Sequence, residues 1–184
     1  MAEASEGTQP FTLVPFPGEP HPEGLSLSGD LRRQGDQLSV VFRLAGPLQS
    51  LQLPPPAASP ERRDNLWQST CLECFLALPE DPGYWELNLS PTGHWNAYRL
   101  EGYREGLASD PAFARPDLER RPQEQMLELR LGCSLPPPLA EAPRLEVAIT
   151  AVIATTEGLL SYWALHHGGE VADFHRRDGF RLRA

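Results

Sequence analysis

Thr70-Cys71-Leu72-Glu73-Cys74-Phe75-Leu76-Ala77-Leu78 is followed, after Pro79 to Gly83, by Tyr84-Trp85-Glu86-Leu87-Asn88-Leu89, and after Ser90-Pro91-Thr92-Gly93 by His94-Trp95-Asn96-Ala97-Tyr98-Arg99-Leu100. Each run has the length of a strand and each gap is rich in turn residues, so the three read as a β-meander. Successive side chains of a strand point to opposite faces. In the first run Leu72, Cys74, Leu76 and Leu78 form an apolar set, and Cys71, Glu73 and Phe75 fall on the other face. Trp85, Leu87 and Leu89 oppose Tyr84, Glu86 and Asn88 in the second; Trp95 and Ala97 oppose His94, Asn96 and Tyr98 in the third. If the strands are neighbours, the polar sets merge into one surface, which Trp67 joins by parity with Glu73.

The rest of the chain fits around this meander. Leu25 to Gly46 reads as a hairpin turning at Gln34-Gly35-Asp36, and Leu48 to Leu53 as a short further strand. Pro54 to Pro60 forbids regular pairing and predicts a surface loop leading to Trp67. Tyr103 to Phe113 reads as a helical turn or loop. Gln125 to Leu135, Leu145 to Thr155, Leu159 to Leu165 and Phe180 to Arg183 are the remaining strands. Nine or ten short strands with proline-rich connections and no long amphipathic helix predict an all-β fold, a two-sheet antiparallel β-sandwich. A single domain over residues 1–184 is expected, with residues 1–20 a leading segment open to loose order.

Composition narrows the function. A formal charge of −9 without a cluster of basic residues argues against nucleic acid. All sixteen basic residues are arginine, which removes lysine Schiff bases and the P-loop lysine. Met1 to Pro10 lacks the pattern of a secretory signal, and Leu145 to Leu165 is interrupted by Glu146, Glu157 and Gly158, so a cytoplasmic protein without a membrane span is expected. Three cysteines, an odd number, fit a reducing compartment. Cys71 and Cys74 form a CxxC, but on a strand they point to opposite faces and read as structural rather than as a metal or redox pair.

Aromatic rings interleaved with carboxylates and amides are what a site needs to hold a sugar: rings stack on the C–H faces and carboxylates accept from adjacent hydroxyls. A solvated sheet face with cross-strand aromatic pairs gives the same pattern with no ligand. The run Trp67 to Phe75, the run Tyr84 to Tyr98, Tyr103-Arg104, Ser161-Tyr162-Trp163-Ala164-Leu165-His166 and Asp173-Phe174-His175 together resemble bacterial DOMON-like domains related to family 9 carbohydrate-binding modules. The resemblance covers the chain from about Leu25 onward. It implies a β-sandwich in which two tryptophans clamp a sugar ring and a glutamate follows the first by six positions. Trp67 and Glu73 match that spacing, and Trp163 is the candidate second tryptophan. The relatives also use a lysine, which this chain lacks; Asn88, Asn96 and Arg104 are expected to substitute, by parity and proximity.

Two rival sites stand beside this one. His166, Asp173 and His175 have metal-ligand chemistry but match no known spacing. Haem, held by other DOMON domains, would use axial His or Met, and only Met1 and Met126 are present. No cofactor is expected, with calcium and haem left open. Glu73 and Glu86 could form a hydrolytic pair, yet no nucleophile elbow occurs and catalytic residues are not assigned. The expected function is a non-catalytic module for a carbohydrate or sugar-containing small molecule, with no nucleic-acid or membrane partner; the alternatives are an interaction or scaffold module and a metal- or haem-binding domain.

Overall fold

The computed structural model describes residues 7–184. The strands are β1 (Gln9–Pro15), β2 (Ser26–Gln34), β3 (Gln37–Ala45), β4 (Cys71–Ala77), β5 (Tyr84–Leu89), β6 (Trp95–Leu100), β7 (Ala108–Ser109), β8 (Asp117–Pro122), β9 (Met126–Ser134), β10 (Glu146–Ala154), β11 (Leu160–Ala164) and β12 (Leu182–Arg183). All pairings between them are antiparallel. The order β7-β6-β5-β4-β10-β11-β1-β2-β3-β9-β8 curls into two facing layers. The all-β sandwich expected from the sequence is the fold observed.

β1 joins the layers. Gln9 to Leu13 pair with β2 while Val14 and Pro15 pair with β11, so one short strand belongs to both. The part of the expected loose leading segment that is described, from residue 7 on, is therefore ordered through Pro15; residues 1–6 lie outside the described residues. A cross-strand row, Phe11 opposite Gly29 and Gly29 opposite Phe42, fixes this junction. The two rings meet edge-on at 5.8 Å across a glycine whose missing Cβ would lie 1.8 Å from the Val41 carbonyl oxygen and 2.4 Å from the Phe11 ring.

Other departures from the sequence pattern are local. Leu48–Ser50 is a 3-10 turn and only Leu51 bridges to Thr155, so no strand forms at Leu48 to Leu53. Asp117–Pro122 pairs as β8 although its exposed, charged residues give little apolar alternation. Tyr103 to Phe113 is a loop containing the two-residue β7.

The interior is filled from both layers. Leu27, Leu31, Val40, Phe42 and Leu44 of one sheet meet Leu72, Cys74, Leu76, Trp85, Leu87, Leu89, Trp95 and Ala97 of the other. The apolar sets of β4, β5 and β6 thus all face inward, as alternation requires. Their partners on the outer face are buried too, in a second cluster of Phe75, Ala77, Tyr84, Tyr98, Leu100, Ala148 and Phe180 against which Trp67 and Phe174 pack. The outer face is therefore not a solvated sheet surface: the chain after β11, with the loops before β4 and after β6, covers it.

Candidate functional site

Beneath that cover is a cavity of about 350 Å³. Its floor is the outer face of the second sheet: Glu73 and Phe75 from β4, Glu86 from β5, Leu100 from β6, Val152 from β10 and Tyr162 from β11. Trp67, in the 3-10 turn Leu66–Gln68, forms one wall. Arg104 and Leu107 come from the loop after β6, and Ala172, Phe174 and His175 from the loop after β11.

Register explains the floor. Asn96 lies opposite Asn88, Asn88 opposite Glu73, and Glu73 opposite Thr150, so four polar residues form one row across four strands. In the adjacent row Tyr98, Glu86, Phe75 and Ala148 follow one another. Glu73 and Glu86 are diagonal neighbours across β4 and β5, within reach of each other on one face. Both are buried, at 3% and 5% exposure. Thr150 Oγ1 donates to Glu73 Oε2 at 2.8 Å, and Asn88 Nδ2 donates to Glu86 Oε1 at 2.9 Å. Neither carboxylate has an ion-pair partner among the described residues.

Burial, and then the proximity of Glu86, push the Glu73 carboxyl up to about 8. Burial also raises Glu86, opposed by the Asn88 hydrogen bond and the Arg104 charge. Two acids with no ion-pair contact in a low-dielectric floor, and only the more distant Arg104 charge to favour Glu86, cannot both ionise cheaply, so near neutral pH the pair retains a proton.

The cover is held by a separate polar network. Arg104 adopts a left-handed backbone, φ 56°, and its guanidinium pairs with Asp173 at 2.9 Å. Tyr103 Oη also donates to Asp173, and the His175 backbone N–H donates to Asp173 Oδ1 at 3.1 Å. Burial opposes ionisation of Asp173, but these donors outweigh it and hold its carboxyl below the ordinary range. Tyr84 Oη lies 2.8 Å from His175 Nδ1 and accepts from the Arg104 backbone N–H at 3.2 Å. Burial, with the Arg104 charge, drives His175 down to about 4, so its ring is neutral. The arrangement is satisfied when Tyr84 donates to Nδ1.

The structure brings Trp67, Glu73 and Arg104 together at the cavity. Asn88 lies opposite Glu73 in the same row but does not line the cavity; its bond to Glu86 orients it, with its Oδ1 buried and unpartnered. Asn96 serves the neighbouring loops instead: it accepts from Arg62 Nη1 and Ser109 Oγ and donates to Asp64 and Tyr98. Trp163 is absent from the cavity. It points into the interior, 2% exposed, with its Nε1 donating to Ser161 Oγ at 2.9 Å. Adjacent Tyr162 takes the outer face, so no pair of opposed tryptophans forms. Phe174 and His175, which the sequence does not assign to the sugar site, line it, as does Glu86, a member of the expected polar face but not one of the assigned ligand residues.

The metal alternative is not assembled. Asp173 is committed to Arg104 and Tyr103 and His175 to Tyr84, and no group of three metal-ligating side chains occurs among the described residues. Of the two methionines, Met126 lies on β9 in the other sheet, away from the cavity, and Met1 lies outside the described residues. Cys71, Cys74 and Cys133 are buried and unpaired, and burial raises all three thiols. Among the described residues no helix is long and apolar enough to cross a membrane.

No family model matches the sequence. No curated protein matches it either. Solved structures do match the fold. Two are family 9 carbohydrate-binding modules from Caldicellulosiruptor kristjanssonii, one with glucose and one with cellotriose, each 12% identical over 79% of this chain, spanning 69% and 67% of the modules at TM-scores of 0.47 and 0.46. The fold is also similar, at a TM-score of 0.61, to a candidate carbohydrate-binding protein from Bacteroides uniformis, with 12% identity over 94% of this chain and 83% of that one.

Proposed function

We propose that the protein is a non-catalytic module that binds a carbohydrate or a sugar-containing small molecule in the cavity above Glu73 and Glu86. The observation that carries this reading is a cavity of about 350 Å³ in which aromatic walls stand over two buried carboxyl groups. That size lies at the lower end of the roughly 300–1,000 Å³ of small-molecule sites. Trp67 supplies a ring to stack on a sugar's C–H face, with Tyr162 and Phe174 bounding the same space. Glu73 and Glu86 accept from hydroxyls, and the proton the pair retains lets it donate as well. Arg104 adds donors at the rim. Asn88 orients Glu86 and Asn96 holds the flanking loops, both one step removed from the ligand.

The likeness in fold to the candidate carbohydrate-binding protein of Bacteroides uniformis supports the same reading. Three unpaired cysteines favour a reducing, cytoplasmic setting, and with it a soluble sugar or nucleotide sugar over a polysaccharide.

Isothermal titration with mono- and oligosaccharides tests the proposal. A saturable heat is expected from at least one sugar, weakened tenfold or more, about 1.4 kcal/mol, in Trp67→Ala. No heat from any sugar overturns it.

A further inference from the structure

The floor of the cavity has an excess of negative charge that a neutral sugar does not answer. Arg104 is the cation at the rim, and Asp173 already pairs with it at 2.9 Å. Glu73 and Glu86 are left with no ion pair, and each is more than nine-tenths buried while lining the cavity. One oxygen of each is bonded, to Thr150 and to Asn88. No N–H or O–H donor among the described residues reaches Glu73 Oε1 or Glu86 Oε2, and neither is sealed from the cavity.

Two acceptor atoms open to the cavity, on acids that have only the Cys71 thiol, Thr150 and Asn88 as neutral donors, call for donors carried by a ligand, and a positive ligand answers both needs at once. The walls suit the same chemistry. Trp67, Phe174 and Tyr162 present ring surface, whose negative faces attract a desolvated cation.

We propose that the natural ligand carries a protonated amine, as an amino sugar does, and that its ammonium group sits between Glu73 and Glu86 beneath the aromatic wall. This rests on the reading of the cavity as a sugar site and narrows the class of sugar. It also gives binding a proton linkage. The titratable and charged groups around the pair are the Cys71 thiol on β4, Tyr84 on β5, Tyr98 on β6, Arg104 after β6, Tyr162 on β11 and neutral His175 after β11. Of these, the carboxyl pair holds a proton near neutrality, and an arriving ammonium expels it.

The test is isothermal titration at about pH 6.5, where an aliphatic ammonium is charged, with glucosamine, N-acetylglucosamine, glucose and n-butylammonium, each in two buffers of different protonation enthalpy. Glucosamine is expected to bind at least about tenfold more tightly than N-acetylglucosamine or glucose and to release protons. The double variant Glu73→Gln, Glu86→Gln keeps the shape of the floor without its charge, and should bring the glucosamine preference near unity. Glucose or N-acetylglucosamine binding as tightly as glucosamine overturns the amine proposal and leaves the sugar reading standing. Binding of n-butylammonium with no sugar bound supports the cation site and overturns the sugar reading. Silence with all four probes overturns both.

Discussion

Glu73 and Glu86 lie diagonally across two adjacent antiparallel strands, both on the outer face of their sheet, both buried and neither paired with a cation. Inward-facing residues of the same strands build the interior, so a single stretch of sequence supplies the core with one face and the cavity with the other. A buried pair of acids is a cost to the fold that a ligand can relieve.

That cost should appear in the pH dependence of stability. Glu73 holds its proton in the folded protein to about pH 8, against an ordinary value of 4.5, so its contribution is full at low pH and is lost as pH rises toward 8. His175, lowered from 6.5 to about 4, acts oppositely, favouring the fold above 6.5 and losing that contribution as pH falls toward 4. The two slopes oppose each other between pH 4.5 and 6.5, and between 6.5 and 8 the carboxyl pair, Glu73 with Glu86 beside it, acts without that offset. There, stability of the ligand-free protein is expected to fall by up to about 1.4 kcal/mol per pH unit. Thermal melts of Glu73→Gln across this window should be flatter; an equal slope in both proteins would show that Glu73 does not titrate there.

Trp67 and Trp163 should separate function from stability. Trp163→Ala empties a fully buried site and is expected to cost about 3–5 kcal/mol. Trp67→Ala, at a half-buried cavity wall, should cost roughly 1 kcal/mol while abolishing most sugar affinity. Urea melts alongside titration calorimetry check both halves.

Tyr84→Phe removes the hydroxyl shared by His175 Nδ1 and the Arg104 backbone N–H. The loss of two part-buried bonds is expected to cost about 1–3 kcal/mol. Hydrogen exchange should quicken at the Arg104 amide and through the loop after β11, with β4 and β10 unchanged.

Asn96→Ala should destabilise by about 1–3 kcal/mol, because Arg62, Asp64 and Ser109 lose a common partner. Sugar affinity should stay within about twofold, since Asn96 braces loops rather than lining the cavity. A tenfold loss in binding, with stability intact, would return Asn96 to the site.

Gly29→Ala drives a methyl into the Val41 carbonyl and the Phe11 ring. Overpacking costs typically about 1–3 kcal/mol, and here it falls on the strand that joins the two layers. Limited proteolysis should show β1 released before either sheet opens.

Alternation with a period of two is a local property, and it was enough to send Leu72, Trp85 and Trp95 inward and Glu73, Glu86 and Tyr98 outward. The all-β class and the neighbourhood of Trp67 and Glu73 were legible for the same reason. What covers that outer face is not local. Ser161-Tyr162-Trp163-Ala164 offers an aromatic residue to each face, and only pairing with β10, which sets Trp163 opposite inward Ala151 and Tyr162 opposite outward Val152, decides which ring meets the cavity. β1 escaped notice because its seven residues are divided between two partners, the following strand β2 and the distant β11, and β8 because its residues are mostly exposed. The sequence by itself determined the strands β4, β5 and β6 and the side to which each of their side chains points. Tertiary structure alone decided that Asp173 holds Arg104, that His175 meets Tyr84 and that the two acids share a covered floor, because each of these contacts joins segments whose approach depends on how the whole sheet curls.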